Sequence, residues 1–149
     1  MQEALKQAEL AFAAGEVPVG CVIVLRDNNE IIAKSYNMMQ QNKNSNAHAE
    51  IIALTDASSK LQSKNLSACD IYVTLEPCTM CTSAIANSRV ARLYYAADDT
   101  KHGAVSNGVR FFTTKSCFHR PEIYSGIASK ESSLLLQNFF GKLRKNKLQ

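Results

Sequence analysis

Four side chains in two short segments have the types and spacing of a metal centre with its own acid or base. His48 and Glu50 stand two positions apart, and Cys78 and Cys81 follow about thirty residues later, directly after a proline. Zinc binds thiolates and imidazoles well, and three protein ligands leave a fourth position for water. Glu50 is not needed as a ligand, so its carboxylate can carry a proton from that water. The pattern predicts a catalytic Zn²⁺ site with one ion per subunit.

Both segments must begin helices if they are to share one site. Cys78 and Cys81 are three residues apart, so they share a face in a first helical turn, where the helix dipole favours thiolates. His48 and Glu50 would diverge by about 200° in the middle of a helix. Both side chains therefore reach one site only from the start of a helix.

A rival interpretation is a zinc module without catalysis, which binds RNA or a partner. Such a module would close its site with a fourth ligand, for which Cys69 and Cys117 are available. It would give Glu50 no role. Five cysteines in a chain without a secretion signal favour thiols or metal ligands over a disulfide framework.

Hydrophobic periodicity divides the chain into helices and strands. Alternating or continuous apolar runs predict strands, and apolar residues at helical spacing predict helices. Pro77 is expected at the first helical position, which suits proline, and Ser45 or Asn46 is expected to cap the helix that follows. The predicted order is helix 2–14, strand 17–25, strand 30–36, helix 48–60, strand 69–75, helix 77–88, strand 90–97, strand 121–124 and helix 129–144.

This order predicts a three-layer α/β/α fold. Strand–helix–strand units favour parallel pairing with helices on both faces of the sheet. The first two strands form a hairpin, so the five-stranded sheet should be mixed. No linker or repeat is visible, and the 149 residues suit a single domain, 1–149.

Charge is concentrated at the end of the chain. Basic residues number 17 and acidic residues 13, and the excess lies in a basic C-terminal tail, residues 142–149. This tail can contact phosphates or can simply be a solvated helix end whose charges suit the helix dipole. The sequence has no apolar run as long as a membrane span and no signal peptide, so we expect a cytoplasmic protein without a membrane partner.

The motif H-x-E…P-C-x-x-C resembles that of the zinc-dependent nucleobase deaminases, which have a cytidine deaminase-like fold. Further stretches resemble the bacterial tRNA-specific adenosine deaminases within that superfamily. They are 16–20, Asn37, 47–51, 72–78, 88–89, 99–104 and 119–120. The resemblance implies that water activated at zinc attacks the amino-bearing ring carbon, while Glu50 protonates the ring nitrogen and then the leaving ammonia.

The resemblance also implies a substrate and a set of contacts. It implies a homodimer that converts adenosine to inosine at the wobble position of a tRNA anticodon stem-loop, with Asn37 on the purine edge. Val19 and Leu75 are candidates for the pocket wall. Lys101, His119 and Arg120 are candidates for RNA contacts, and an ordinary solvated loop is the alternative for all three. A deaminase of a free base or nucleotide (guanine, cytosine or deoxycytidylate) is the alternative, since it shares the zinc centre.

The chain departs from the family pattern beside the last of these residues. Phe118 stands where an asparagine is expected before the His-Arg pair, and Pro121 stands where an aliphatic residue is expected. The loop that should face RNA is therefore expected to differ in arrangement.

Overall fold

The helices and strands follow one another in the predicted order. The computed structural model describes residues 1–147, and within them a short 3-10 helix, Phe111–Thr113, is the addition to the predicted elements. The main elements are α1 Gln2–Ala13, β1 Gly20–Leu25, β2 Glu30–Tyr36, α2 Ala49–Leu61, β3 Cys69–Leu75, α3 Thr79–Ser88, β4 Arg92–Ala97, β5 Glu122–Ser125 and α4 Ser129–Lys147.

The five strands form one mixed sheet in the order β2-β1-β3-β4-β5. β1 pairs antiparallel with both β2 and β3, whereas β3, β4 and β5 run parallel. Leu75 is opposite Ala97 at the carboxyl ends of β3 and β4. The segments that leave these two strands therefore start side by side at one edge of the sheet.

Helices cover both faces, which confirms the predicted α/β/α fold. α1 and α4 pack on one face, and α2 and α3 pack on the other. Close approach of α1 depends on Gly20, because a Cβ there would lie 1.9 Å from the carbonyl oxygen of Ala4. The core beneath α2 and α3 includes fully buried Ile71 and Leu93. No helix among the described residues combines the length and apolar character needed to cross a membrane.

Two helix starts differ from the prediction. α3 begins at Thr79, because the backbone of Cys78 is extended (φ −74°, ψ 175°) and forms an isolated β-bridge with Gly103. Pro77 therefore precedes the helix. α2 is preceded by His48 as its N-cap residue, also extended, and neither Ser45 nor Asn46 caps it.

The first strand and the last helix also differ in length. β1 starts at Gly20 rather than at residue 17, because the N–H of Val19 donates to the carbonyl of Val17 in a tight turn. α4 extends to Lys147, three residues beyond the predicted end. Of the predicted basic tail, residues 148 and 149 lie outside the described residues.

Candidate metal centre and active site

The predicted metal ligands lie at the starts of two neighbouring helices. His48 is the N-cap residue of α2, Cys78 is the N-cap residue of α3, and Cys81 lies in the first turn of α3. α2 and α3 pack side by side on the same face of the sheet. The two helix starts therefore bring together residues that are thirty positions apart in the sequence.

The distances from the His48 nitrogen to the two cysteine sulfur atoms are those expected around a tetrahedral zinc ion, and all three donor atoms lie within 4.8 Å of one another. The His48 Nδ1 atom lies 3.7 Å from the Cys78 Sγ atom and 3.6 Å from the Cys81 Sγ atom. Zn–S and Zn–N bonds of about 2.3 and 2.0 Å at a tetrahedral angle place N and S about 3.5 Å apart. This is the one group of at least three potential ligands found among the described residues. The donor set therefore fits a zinc ion with three protein ligands.

Ionisation of the two thiols is coupled. Hydrogen bonding with the Cys81 thiol, opposed by burial and helped by His48, lowers the pKa of Cys78 to about 4. The same contact with Cys78, together with burial and the carboxyl of Glu50, raises the pKa of Cys81. The contact between the two thiols thus favours the thiolate at Cys78 and disfavours it at Cys81. A divalent ion held by Cys78 and Cys81 would supply the positive charge that allows both thiols to ionise.

Glu50 lies beside this group without belonging to it. It occupies the first turn of α2 and is 4 % exposed. Burial raises the pKa of the Glu50 carboxyl, although the Cys81 thiol and the His48 ring oppose the shift. Both neighbours are predicted metal ligands. A buried carboxyl with a raised pKa next to the ligands is suited to accept and return a proton near neutral pH.

Asn37 and Val19 lie together where β2 ends and β1 begins. The N–H of Asn37 donates to the carbonyl of Val19 at 3.0 Å. The Asn37 side chain is buried, and its Nδ2 atom lies 3.5 Å from the Oε2 atom of Glu16. The other Glu16 oxygen accepts from the backbone N–H of Gln41 at 2.8 Å. Glu16 therefore ties Asn37 to the loop that leads to His48.

Glu76 is a buried organising residue whose role is not apparent from its own stretch of sequence. Glu76 directly follows Leu75, the half-buried last residue of β3, and directly precedes the ligand segment, residues 77–81. It is 2 % exposed. Its Oε1 atom accepts the backbone N–H groups of Val105, Ser106 and Asn107 at 3.1, 2.8 and 3.0 Å. Its Oε2 atom accepts from the Asp99 N–H at 2.9 Å and from the Asn107 Nδ2 atom at 2.8 Å.

These hydrogen bonds hold the loop after β4 against the ligand segment. Burial alone would raise the pKa of Glu76, but the donors from Asp99, Asn107 and Ser106 outweigh it and lower that pKa. Gly103 in this loop pairs with Cys78, and a Cβ at Gly103 would lie 2.4 Å from the Glu76 carboxyl carbon. Glu76 thus fixes the backbone next to a predicted ligand. The sequence feature that could have identified Glu76 is its position, since a carboxylate directly follows an apolar strand.

The predicted RNA contacts do not all lie near the ligands. Lys101 is exposed in the loop that Glu76 holds, near the ligand segment. His119 and Arg120 precede β5, and the His119 Nε2 atom lies 2.8 Å from the Val90 carbonyl oxygen, just before β4 begins. The parallel strands place that position at the end of the sheet opposite to Cys78. Arg120 is exposed there.

The fold and the grouped ligands agree with a family assignment. The chain belongs to the MafB19-like deaminase family, which it matches over residues 1–144. A protein of Rickettsia bellii named tRNA-specific adenosine deaminase is 60 % identical over 144 residues, which cover 97 % of this chain and 99 % of the relative. The resemblance to nucleobase deaminases, and to bacterial tRNA-specific adenosine deaminases among them, is confirmed.

Solved structures support the same grouping. A structure from work on A-to-I editing by tRNA:A34 deaminases at the wobble position is 46 % identical, with a TM-score of 0.88, and the match covers 91 % of this chain and 97 % of that one. A guanine deaminase from Nitrosomonas europaea is 25 % identical, with a TM-score of 0.75 and coverage of 93 % and 81 %. The chain is thus more similar to the structure from the tRNA-editing work than to that guanine deaminase.

Proposed function

We propose that this chain is a zinc-dependent enzyme that deaminates adenosine to inosine, with water as the second substrate, at the wobble position of tRNA. The observation that carries the proposal is the His48–Cys78–Cys81 group with a buried carboxyl, Glu50, beside it. Relatives named for this activity match along almost the whole chain, and cytidine deaminase-like proteins generally use zinc. A free base or nucleotide is the alternative substrate.

Each residue of the group has a distinct role in this proposal. His48, Cys78 and Cys81 hold the ion, and a bound zinc ion supplies a Lewis acid that lets water act as a nucleophile near neutral pH. Glu50 accepts a proton from that water and passes it to the ring nitrogen next to the amino-bearing carbon. Glu50 then carries a second proton to the departing amine. One water is consumed, and one ammonia leaves.

The remaining predicted residues form the substrate contacts in this proposal. The Asn37 amide faces the purine edge, and its tie to Glu16 supports a fixed orientation. Val19 and Leu75 form part of the pocket wall. Lys101, His119 and Arg120 contact the RNA. Base extrusion costs little in an anticodon loop, because the nucleotide is already unpaired.

We further propose that the chain acts as a single-domain homodimer in the cytoplasm, where its tRNA substrate is found. A shallow groove of about 410 Å³ between α2 and α3 supports self-association, because it offers a half-exposed surface that includes Ile51 and Ala84. Sedimentation equilibrium tests the assembly directly. A mass equal to one chain at micromolar concentration would contradict it.

Comparison of two substrate classes tests the proposed activity. The purified chain is incubated with an anticodon stem-loop that carries adenosine at the wobble position, and separately with adenosine, guanine, cytosine and deoxycytidylate. We expect inosine in the stem-loop and no change in the free compounds. Conversion of a free compound alone would establish the alternative.

Substitution of Glu50 tests the proton transfer. Glu50→Gln keeps the size of the side chain but removes its ability to exchange a proton, so turnover should fall by at least about 10²–10⁴-fold. Zinc content, measured by atomic absorption, should stay at one ion per chain. Glu9→Gln on the exposed face of α1 is the matched control. Normal turnover in Glu50→Gln would rule out this mechanism and favour the rival zinc module.

A further inference from the structure

A buried hydrogen bond joins the sheet to the helix start that carries His48 and Glu50. The Ser35 hydroxyl on β2 donates to the backbone carbonyl of Ala49 at 2.6 Å. Ala49 is the first residue of α2, stands between His48 and Glu50 in the sequence and is fully buried. Ser35 is buried as well. This bond therefore fixes one point of the backbone that holds both side chains.

The start of α2 has no cap from its own N-cap side chain. Helix starts are commonly fixed by an N-cap side chain that accepts a hydrogen bond from a free N–H group of the first turn. Within residues 1–147, the His48 side chain at this position forms no such bond. Its Nδ1 atom instead faces the sulfur atoms of Cys78 and Cys81. The bond from Ser35 supplies part of the restraint that a cap would give.

Apolar packing alone leaves the rotation of α2 weakly defined. The helix faces the sheet through Ala49, Ala53 and Ala57, which recur at every fourth position and are all fully buried. Burial of these small side chains favours close approach to the sheet, but the hydrophobic effect is not directional. A hydrogen bond, in contrast, depends on the distance and angle between its atoms. The bond from Ser35 to Ala49 is thus a contact that selects one rotation of the first turn.

A small rotation of α2 is enough to displace the Glu50 carboxyl. Side chains extend about 5–6 Å from the axis of a helix, so a rotation of about 10° moves a group at that radius by about 1 Å. Misplacement by about 1 Å can lower a rate by about 10²-fold, because proton transfer requires the two groups at hydrogen-bonding distance. The position of Glu50 is therefore sensitive to the contacts that hold its helical turn.

The cross-strand neighbour of Ser35 lies close to Glu50. Cys21 on β1 is directly opposite Ser35 in the sheet register and is fully buried. Burial raises the pKa of the Cys21 thiol well above its usual range, and the nearby Glu50 carboxylate adds to the shift. Cys21 therefore stays a neutral, packed side chain, and the hydroxyl of Ser35 supplies the directional contact from this part of the sheet.

β2 also leads directly to Asn37, the proposed contact to the purine edge. Asn37 follows two positions after Ser35, so about 7 Å of extended chain separates them. The N–H of Asn37 donates to the Val19 carbonyl, which continues the pairing of β1 with β2 beyond Tyr36. One strand end thus carries the residue proposed to bind the base and the residue that holds the helical turn of Glu50.

We propose that Ser35 is a positioning residue for the deamination, because its bond to Ala49 holds Glu50 at the correct distance from the base that Asn37 binds. The inference rests on the proposed function, since it takes Glu50 as the proton carrier. Ser35 acts through the backbone of α2 and affects the rate of proton transfer, but it does not affect the binding of zinc or RNA.

Ser35→Ala tests this role, because it removes the hydroxyl and adds no bulk. The probe is an anticodon stem-loop that carries adenosine at the wobble position, in single-turnover reactions. We expect the rate at saturating enzyme to fall by about 10–100-fold. The enzyme concentration that gives half of this rate should change by less than about twofold. The zinc content should stay at one ion per chain.

Ser132→Ala is the matched control. The buried Ser132 hydroxyl donates to the Thr74 carbonyl, so it joins α4 to β3 as Ser35 joins β2 to α2, but on the other face of the sheet. Both variants should lose a similar amount of thermal stability, since each loses one buried hydrogen bond. Ser132→Ala should react at the parental rate. An equal loss of rate in both variants would be a general effect of stability and overturns the proposal.

A double-mutant cycle with Asn37→Ala tests the link between Glu50 and the bound base. Once Asn37 no longer holds the base, the exact position of Glu50 should matter less. Ser35→Ala should then slow the Asn37→Ala enzyme by no more than about threefold. Full additivity of the two losses overturns the proposed link.

Hydrogen exchange separates this inference from the proposed function, because it requires no turnover. Ser35→Ala should accelerate exchange at the amides of Ala53 and of Ile52, whose N–H donates to the His48 carbonyl at 3.1 Å. Unchanged exchange there, or a parental rate in Ser35→Ala, overturns the role of Ser35 and leaves the proposed function intact if the parent deaminates the stem-loop. If the parent does not deaminate it, the proposed function fails and the role of Ser35 in deamination fails with it, even where exchange accelerates.

Discussion

Substitution of Glu76 by glutamine should destabilise the fold although it changes only one oxygen to an NH₂ group. The Glu76 carboxylate accepts five hydrogen bonds and donates none. Three backbone N–H groups donate to Oε1, and the Asp99 N–H and the Asn107 side-chain amide donate to Oε2. In its better orientation, glutamine keeps its oxygen toward the three donors and turns its NH₂ group toward the other two.

The loss follows from which of those two donors can adapt. The Asn107 amide can rotate to offer its oxygen, but the backbone N–H of Asp99 cannot, so one partly buried donor loses its acceptor. An unsatisfied buried group costs about 1–3 kcal/mol, and the other bonds lose the extra strength that an ionised acceptor gives. We expect Glu76→Gln to lower the free energy of unfolding by about 3 kcal/mol.

Urea denaturation followed by circular dichroism measures this loss, with zinc at the same saturating concentration in every sample. Glu122→Gln is the matched control, because the Glu122 side chain is 61 % exposed and its ion pair with Arg92 should contribute at most about 1 kcal/mol. Hydrogen exchange should also accelerate at the amides of Val105, Ser106 and Asn107. A Glu76→Gln chain within about 0.5 kcal/mol of the parent would refute the reasoning, since that is the range of ordinary surface substitutions.

Two further predictions concern the same loop and the C-terminal tail. Gly103→Ala places a Cβ 2.4 Å from both the Asp99 carbonyl oxygen and the Glu76 carboxyl carbon, so it should cost about 3 kcal/mol of stability in urea denaturation. Gly141→Ala, which meets nothing within 4 Å in α4, should instead stabilise by up to about 1 kcal/mol, and equal effects would contradict the packing argument. Replacing both Arg144 and Lys145 by glutamine should reduce the slope of log affinity for RNA against log salt by about 1.5, measured by fluorescence anisotropy. An unchanged slope would show that the tail is only a solvated helix end.

The grouping of His48, Cys78 and Cys81 could be predicted from the sequence because their geometry is local. Cys78 and Cys81 share a helix start through their spacing alone, and His48 and Glu50 are two residues apart at another. The fold then brings the starts of α2 and α3 together, because both helices pack side by side on one face of the sheet. The order of elements was predicted because each element depends on periodicity within a single segment. The mixed sheet was predicted from the connections, since a short turn joins the first two strands and helices join the later ones.

The supporting carboxylates could not be predicted because their partners are distant. Glu76 accepts from residues 99–107, and Glu16 accepts from Gln41, so neither role is visible in its own segment. The position of His119 was missed for a related reason. From the sequence His119 is a candidate RNA contact or part of a solvated loop, but its ring contacts Val90, a residue that is distant in sequence and adjacent in the fold.

Glu50 and Glu76 show how the same residue type takes two roles a short distance apart. Both carboxyls are buried, at 4 % and 2 % exposure. Burial dominates at Glu50 and raises its pKa, whereas the converging N–H donors dominate at Glu76 and lower its pKa. A group that must accept and release a proton cannot be surrounded by donors that fix it as an anion, and a group that must hold a loop cannot be free to protonate. The hydrogen-bond environment, more than burial, therefore separates the two carboxyls: it holds Glu76 as an anion that organises the loop, and it leaves Glu50 suited to the proton transfer proposed for it.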